Sequence, residues 1–119
     1  MLIPLLVLAS LAQEPAAPKP ELPVISAKLG SCSADFTVKD ADGKPVYAAM
    51  IHVRIRYGFL GVKRMDLEVG TDSDGKARVE GLPKDKRPLV YDVTKAEKKT
   101  TANQDLTTNC AATYDLALK

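Results

Sequence analysis

The chain contains one His, no Trp and two Cys, and these shortages remove several kinds of chemistry. A single His cannot build a His-rich metal cage and leaves little material for acid–base work near neutral pH. No metal site and no cofactor are expected. The charge is nearly balanced, with Lys+Arg 17 against Asp+Glu 15 and a formal net charge of +2. That excess is too small to argue for nucleic acid, or for an acidic membrane as a general partner. No apolar run approaches the ~20 residues that a membrane-spanning helix needs, so no transmembrane anchor is expected. What remains is a chain of 119 residues, 45% hydrophobic and 27% charged. That composition describes one small folded domain, not a disordered segment.

The first residues read as a targeting segment. Met1–Ala12 is MLIPLLVLASLA, with an apolar run over Leu2–Leu8 and small residues Ser10 and Ala12 placed for a cut ahead of Gln13. This is the pattern of a secretory signal peptide, although no Lys or Arg precedes the apolar run. Residues 13–31 follow as a Pro/Ala-rich linker, with Pro15, Pro18, Pro20 and Pro23 favouring extended, solvated chain. Leu29-Gly30-Ser31-Cys32 looks like a lipoprotein box, but a charged, proline-rich stretch separates it from the apolar run. The expected organisation is a signal at 1–12, a linker at 13–31 and a folded domain at 32–119, in a secreted or periplasmic protein.

Cys32 and Cys110 lie near the two ends of that domain. In an exported chain an even Cys count implies a disulfide, and two Cys allow one intramolecular pairing. Closing so long a loop is worth roughly 4 kcal/mol in the chain-entropy model. A redox pair or metal site would call for CxxC spacing or clustered His, and neither is present.

From Ala34 onward the hydrophobic pattern has period two. Ile51, Val53 and Ile55 alternate with His52, Arg54 and Arg56; Met65, Leu67 and Val69 alternate with Asp66 and Glu68. Leu89-Tyr91-Val93 and Ala112-Tyr114-Leu116-Leu118 repeat the pattern, Phe36-Val38 and Ala77-Val79 give shorter strands, and Thr100–Thr108 reads as a polar edge strand. About seven short strands separated by turn signals predict an all-β, antiparallel, Ig-like β-sandwich. Asp40-Ala41-Asp42-Gly43 and Asp72-Ser73-Asp74-Gly75 place Gly where a turn needs positive φ. An EF-hand would need ligands at both ends of its loop, and neither stretch has them; a weaker calcium contact at these turns stays open.

The central hairpin has a predictable register. Pairing positions that sum to 120 sets Ile55, Val53 and Ile51 against Met65, Leu67 and Val69 inside. It sets Arg54 against Asp66 and His52 against Glu68 outside. Arg56 and Arg64 form the one like-charged pair. The tip is then Gly58-Phe59-Leu60-Gly61-Val62, with a three-residue loop Phe59-Leu60-Gly61 that puts Gly61 in the left-handed position.

Phe36-Thr37-Val38-Lys39-Asp40-Ala41-Asp42-Gly43-Lys44-Pro45-Val46, then Thr71-Asp72-Ser73-Asp74-Gly75, Gly81-Leu82-Pro83 and Leu89–Ala96, together resemble the transthyretin-like, carboxypeptidase-regulatory-like β-sandwich domains of exported bacterial proteins. The resemblance covers about 34–96. It implies the sandwich fold and an accessory, adhesive or spacer role. Two family chemistries are not carried over. Related adhesin-type domains form a Lys–Asn isopeptide, but Val38 stands where their Lys would be. Transthyretin-like hydroxyisourate hydrolases end in Tyr-Arg-Gly-Ser, whereas this chain ends Leu116-Ala117-Leu118-Lys119. After Gly81-Leu82-Pro83 the family turns with Pro-Gly; here Lys84-Asp85-Lys86-Arg87-Pro88 makes a longer, more basic loop.

No catalytic residue is expected. His52 faces Glu68 as a surface ion pair, and no nucleophile can be placed beside it. The chain is therefore expected not to be an enzyme but a binding or structural module. Its contact residues would be Phe59 and Leu60 at the tip, with Arg54, Arg56 and Arg64 on the adjoining sheet face, and its partner an unidentified protein or glycan. The Lys84–Arg87 run reads as loop charge, and Phe59 and Leu60 could instead fold back as a lid on the core. The alternative is a small hydrolase or ligand-processing domain. A pocket gathering His52 with Arg or Asp side chains would favour that alternative; a convex surface would favour the contact module.

Overall fold

A computed structural model describes residues 22–119; the expected signal at 1–12 and residues 13–21 of the expected linker lie outside the described residues. Eight strands alternate with short turns: Val24–Ser26 (β1), Cys32–Asp40 (β2), Met50–Tyr57 (β3), Lys63–Gly70 (β4), Lys76–Leu82 (β5), Leu89–Lys95 (β6), Lys98–Gln104 (β7) and Ala111–Leu118 (β8). They form two four-stranded sheets, ordered β1-β5-β2-β8 and β4-β3-β6-β7. The Ig-like β-sandwich expected from the alternation is the fold observed.

The reason is the alternation itself. Phe36 and Val38 on β2, Ala77 and Val79 on β5, Ile51, Val53 and Ile55 on β3, and Tyr91 and Val93 on β6 are all buried. Each strand turns one face inward, and the two inner faces close on each other. Phe36 sits at the centre, its ring edge-on to Tyr91 at 4.8 Å and stacked with Tyr114 at 5.4 Å. The β3–β4 register is the one the cross-strand pairs require, from Ile51 opposite Val69 to Arg56 opposite Arg64. Thr100–Thr108 proves to be an edge strand only up to Gln104, after which the chain turns.

Three expectations are corrected. The sheet takes in Val24–Ser26, placed above in the linker. Val24 pairs with Arg78, and the Arg78 amide donates to the Pro23 carbonyl at 2.9 Å. Proline stops at Pro23, so the next residues have the free N–H groups a ladder needs. Second, β1–β5 and β2–β8 pair in parallel, because β8 returns from the opposite sheet by a crossover instead of a hairpin. Third, the β3–β4 ladder ends at Tyr57–Lys63, so Gly58 and Val62 do not pair, and the expected tip 58–62 is a five-residue loop instead of a three-residue one. Gly61 has the predicted positive φ of 65°, but Leu60 shares it at 59°.

The Asp-Gly turns are built alike. One carboxylate oxygen of Asp40 accepts the amides of Asp42 and Lys44 at 2.8 and 3.0 Å; Asp72 does the same for Asp74 and Lys76, both at 2.9 Å. Gly43 and Gly75 follow with φ of 84° and 75°. The side chain of the first Asp thus closes the turn on its own backbone.

Cys32 and Cys110 are bonded, with Cα atoms 4.6 Å apart. The bond joins the start of β2 to the residue before β8, where the Ser33 amide also donates to the Cys110 carbonyl at 2.7 Å. Beside it lies a fully buried Gln104. It accepts the Tyr91 hydroxyl at 2.5 Å and donates to the carbonyls of Ser33 at 3.0 Å and Asn109 at 2.8 Å. This amide ties β7 to β6, to β2 of the other sheet and to the 105–110 turn.

Candidate functional site

The β3–β6 ladder runs from Met50–Thr94 to Val53–Tyr91 and stops there. Yet β3 continues to Tyr57 and β6 begins at Leu89. Beyond Tyr91 the strands no longer bond, and the 83–88 loop enters beside them. The result is a cleft of about 490 Å³, within the ~300–1,000 Å³ of small-molecule sites.

Its composition follows from the pleat. Ile55, Leu89 and Leu106, all buried in the core, supply an apolar floor, and Pro83 and Pro88 extend it. The outward residues of β3 supply His52, Arg54 and Arg56; β6 adds Asp92, and the loop adds Asp85 and Arg87.

The charges are unevenly committed. Asp66, outside the cleft on β4, accepts from Arg54 Nε at 3.0 Å and is bonded to His52 Nε2 at 3.2 Å. The Arg54 guanidinium, with His52 behind it, holds the Asp66 carboxyl below its ordinary 3.8. His52 therefore pairs diagonally with Asp66, not with Glu68 directly opposite as expected, because Arg54 has already drawn the Asp66 carboxylate to that side. Arg87 reaches Asp85 only at 3.6 Å, and its Nη1 is buried without a hydrogen-bond partner among the described residues. Arg56 forms no ion pair among the described residues. Beside the apolar floor, Arg56 thus stands without an ion pair among the described residues and Arg87 with only the long contact to Asp85.

The hairpin tip stands next to this cleft. Phe59, Leu60 and Val62 are 83%, 79% and 72% exposed, so the tip is not a lid. Gly61 is buried, and the Arg87 guanidinium lies where its side chain would be; any Cβ there would overlap Nη1. Arg87 therefore forms both a wall of the cleft and a support for the tip.

Of the residues singled out from the sequence, Arg54 and Arg56 enter the cleft, Phe59 and Leu60 sit exposed at the tip, and Arg64 faces Arg56 across the hairpin. Asp85, Arg87 and Leu106 were missed. The available signal was the replacement of Pro-Gly after Gly81-Leu82-Pro83 by a longer basic loop, read above as solvated charge.

No known family profile matches the chain, and no curated protein matches it in sequence. Solved structures do match in fold. Catechol 1,2-dioxygenase from Acinetobacter sp. ADP1 is 15% identical, with a TM-score of 0.54 over 83% of this chain and 59% of that one. Catechol 1,2-dioxygenase from Pseudomonas arvilla C-1 is 10% identical, with a TM-score of 0.55 over 82% and 58%. The dioxygenase domain of a dioxygenase carbohydrate-binding protein fusion from Streptomyces sp. SirexAA-E is 15% identical, with a TM-score of 0.53 over 91% of this chain and 96% of that domain. The chain thus spans about three fifths of the catechol dioxygenases it matches.

These likenesses correct the expectation that the chain is not an enzyme, since the sandwich it shares is one on which enzymes are built. At such identity what is shared is the fold, and chemistry must be argued from the site. A facial triad of two His and one carboxylate, a common iron arrangement, does not fit these residues. The sequence holds one His, and no group of three or more His, Cys, Asp or Glu among the described residues could hold a metal ion.

Proposed function

We propose that this chain is an exported ligand-binding domain of the transthyretin-like kind, and that the β3–β6 cleft receives a small organic anion with an apolar body. One observation carries the reading: the cleft sets Arg56 and Arg87, both weakly engaged, beside a floor of Ile55, Leu89 and Leu106. A carboxylate would accept hydrogen bonds from the guanidinium groups, and its hydrocarbon part would displace water from the floor. Asp85 and Asp92 on the same walls disfavour a second negative charge, so a monoanion fits better than a phosphate. A pocket gathering His52 with Arg and Asp side chains is what a ligand-processing domain requires, and it moves the balance away from a purely convex contact module. The Cys32–Cys110 disulfide, a bond that persists in oxidising compartments, supports the exported part of this reading.

The test is an NMR titration with 2-naphthoate and, as the uncharged control, 2-naphthamide. Saturable shifts of the Ile55, Leu89 and Val90 amides with naphthoate, at least tenfold weaker with naphthamide and in Arg56→Gln, are expected. Equal response to both compounds, or no response at the cleft, would refute the anion site.

A further inference from the structure

The hairpin tip lies outside that cleft and presents a second surface. Three large apolar side chains, Phe59, Leu60 and Val62, project into solvent from five residues. Their arrangement is preset. Gly58, Leu60 and Gly61 hold positive φ of 80°, 59° and 65°, the Gly61 amide donates to the Gly58 carbonyl at 3.1 Å, and Arg87 braces Gly61 from behind. A Leu in the left-handed region is uncommon and unfavourable. Here it aims an apolar side chain outward, where it contributes nothing to the core.

Charge along the hairpin is of one sign from Arg54 to Met65. That stretch has Arg54, Arg56, Lys63 and Arg64 and no acidic residue. The nearest acid in this hairpin, Asp66, is held by Arg54 and His52. Arg56 and Arg64 are exposed and directly opposite each other, and neither forms an ion pair among the described residues. A like-charged pair across a ladder is unfavourable by itself and is relieved by an anionic surface. The net charge of +2 conceals this local excess.

We infer that the tip is a wedge for an anionic phospholipid surface, with Phe59, Leu60 and Val62 entering the headgroup–acyl boundary and Lys63 and Arg64 resting on the phosphates. Size decides between a bilayer and a protein partner. A stable protein interface buries ~800 Å² on each side, and three side chains on a narrow tip offer only a fraction of that. A shallow apolar insertion combined with basic residues is the usual means of reversible attachment to anionic membranes.

The absence of Trp from the sequence makes the test site-specific. Phe59→Trp places the only Trp of the full chain at the exposed tip. Its emission reports that position and not the apolar residues at 1–12. It is mixed with vesicles of phosphatidylcholine, or of equal parts phosphatidylcholine and phosphatidylglycerol. The expected result is a blue shift and quenching by acyl-chain doxyl lipid with the anionic vesicles only. In Lys63→Gln/Arg64→Gln made in the same background, the apparent affinity should fall at least tenfold. High salt should reverse the shift. No blue shift with anionic vesicles, or an equal shift with both kinds, would overturn the inference. So would concentration-dependent self-association that Phe59→Ser/Leu60→Ser abolishes while vesicles leave the Trp emission unchanged, since that would assign the tip to a protein contact. None of these outcomes bears on naphthoate binding in the cleft.

Discussion

Replacing Tyr91 by Phe removes one oxygen from the centre of the fold, and its cost can be worked from the contacts that oxygen makes. The Tyr91 hydroxyl donates to Gln104 Oε1 at 2.5 Å, and both residues are fully buried. Burial, with Tyr114 as a lesser influence, raises the Tyr91 pKa well above its ordinary value of 10.0, so the group stays a neutral donor at any physiological pH. The Phe ring keeps the edge-on contact with Phe36, and little apolar burial is lost. What changes is that Gln104 Oε1 remains desolvated with no donor. An orphaned buried acceptor costs about 1–3 kcal/mol. For a domain of this size that lowers the melting temperature by roughly 4–8 °C per kcal/mol.

Gln104→Leu should cost a similar amount, because it strands the buried Tyr91 hydroxyl; the Asn109 carbonyl lies near solvent and can recruit water. The double variant Tyr91→Phe/Gln104→Leu should then be less destabilised than the sum of the singles, because residues sharing a bond are not additive. Urea unfolding of the four proteins measures this, with unchanged m-values confirming a common unfolding transition. A Tyr91→Phe stability within about 0.5 kcal/mol of the parent, the size of an ordinary surface change, would refute the argument that this hydrogen bond is indispensable to a buried amide.

Two further outcomes are expected. From the sequence pattern at 1–12, intact-mass analysis of the secreted fraction should find Gln13 first; from the structure, no thiol should be alkylatable, and reducing the Cys32–Cys110 bond should lower stability by roughly 4 kcal/mol; two free thiols would refute the pairing. Acid should weaken the fold through Asp66, Asp40 and Asp105. Hydrogen bonds from Arg54, from the Lys44 amide and from Thr107, respectively, are the chief causes holding these carboxyls below 3.8. A carboxyl with a depressed folded-state pKa contributes fully above 3.8 and loses that contribution as pH falls through its folded value. Urea midpoints should therefore drop on acidification past 3.8, and Asp66→Asn should show a shallower drop than the parent. An identical acid profile would remove Asp66 from the account.

Much of the architecture is written locally. Period-two alternation decides which side chains face inward, and one inward face per strand is enough to imply two stacked sheets. The hairpin register follows too, because sliding Ile51-Val53-Ile55 by one position would set most of the inward apolar residues against charged ones. The Asp-Gly turns close on their own side chains, so their geometry needs nothing from elsewhere in the chain. Distance in sequence defeats the same reasoning. The parallel pairing of β2 with β8 and the joining of Val24–Ser26 to β5 depend on which edges are left open once the sandwich has closed. Gln104 lies in a polar, threonine-rich stretch, and only the approach of β2 and the 105–110 turn makes it a buried clamp. The cleft is the strongest case. It exists because the β3–β6 ladder stops at Val53–Tyr91 and a basic loop fills the edge of the gap. A ladder's end is set by packing of the whole sheet, and no residue type announces it. Likewise the sequence offered Phe59 and Leu60 either a lid or an exposed tip. The folded chain shows the exposed tip, with the guanidinium of Arg87, a loop residue 26 positions beyond Gly61, in the space beside that glycine.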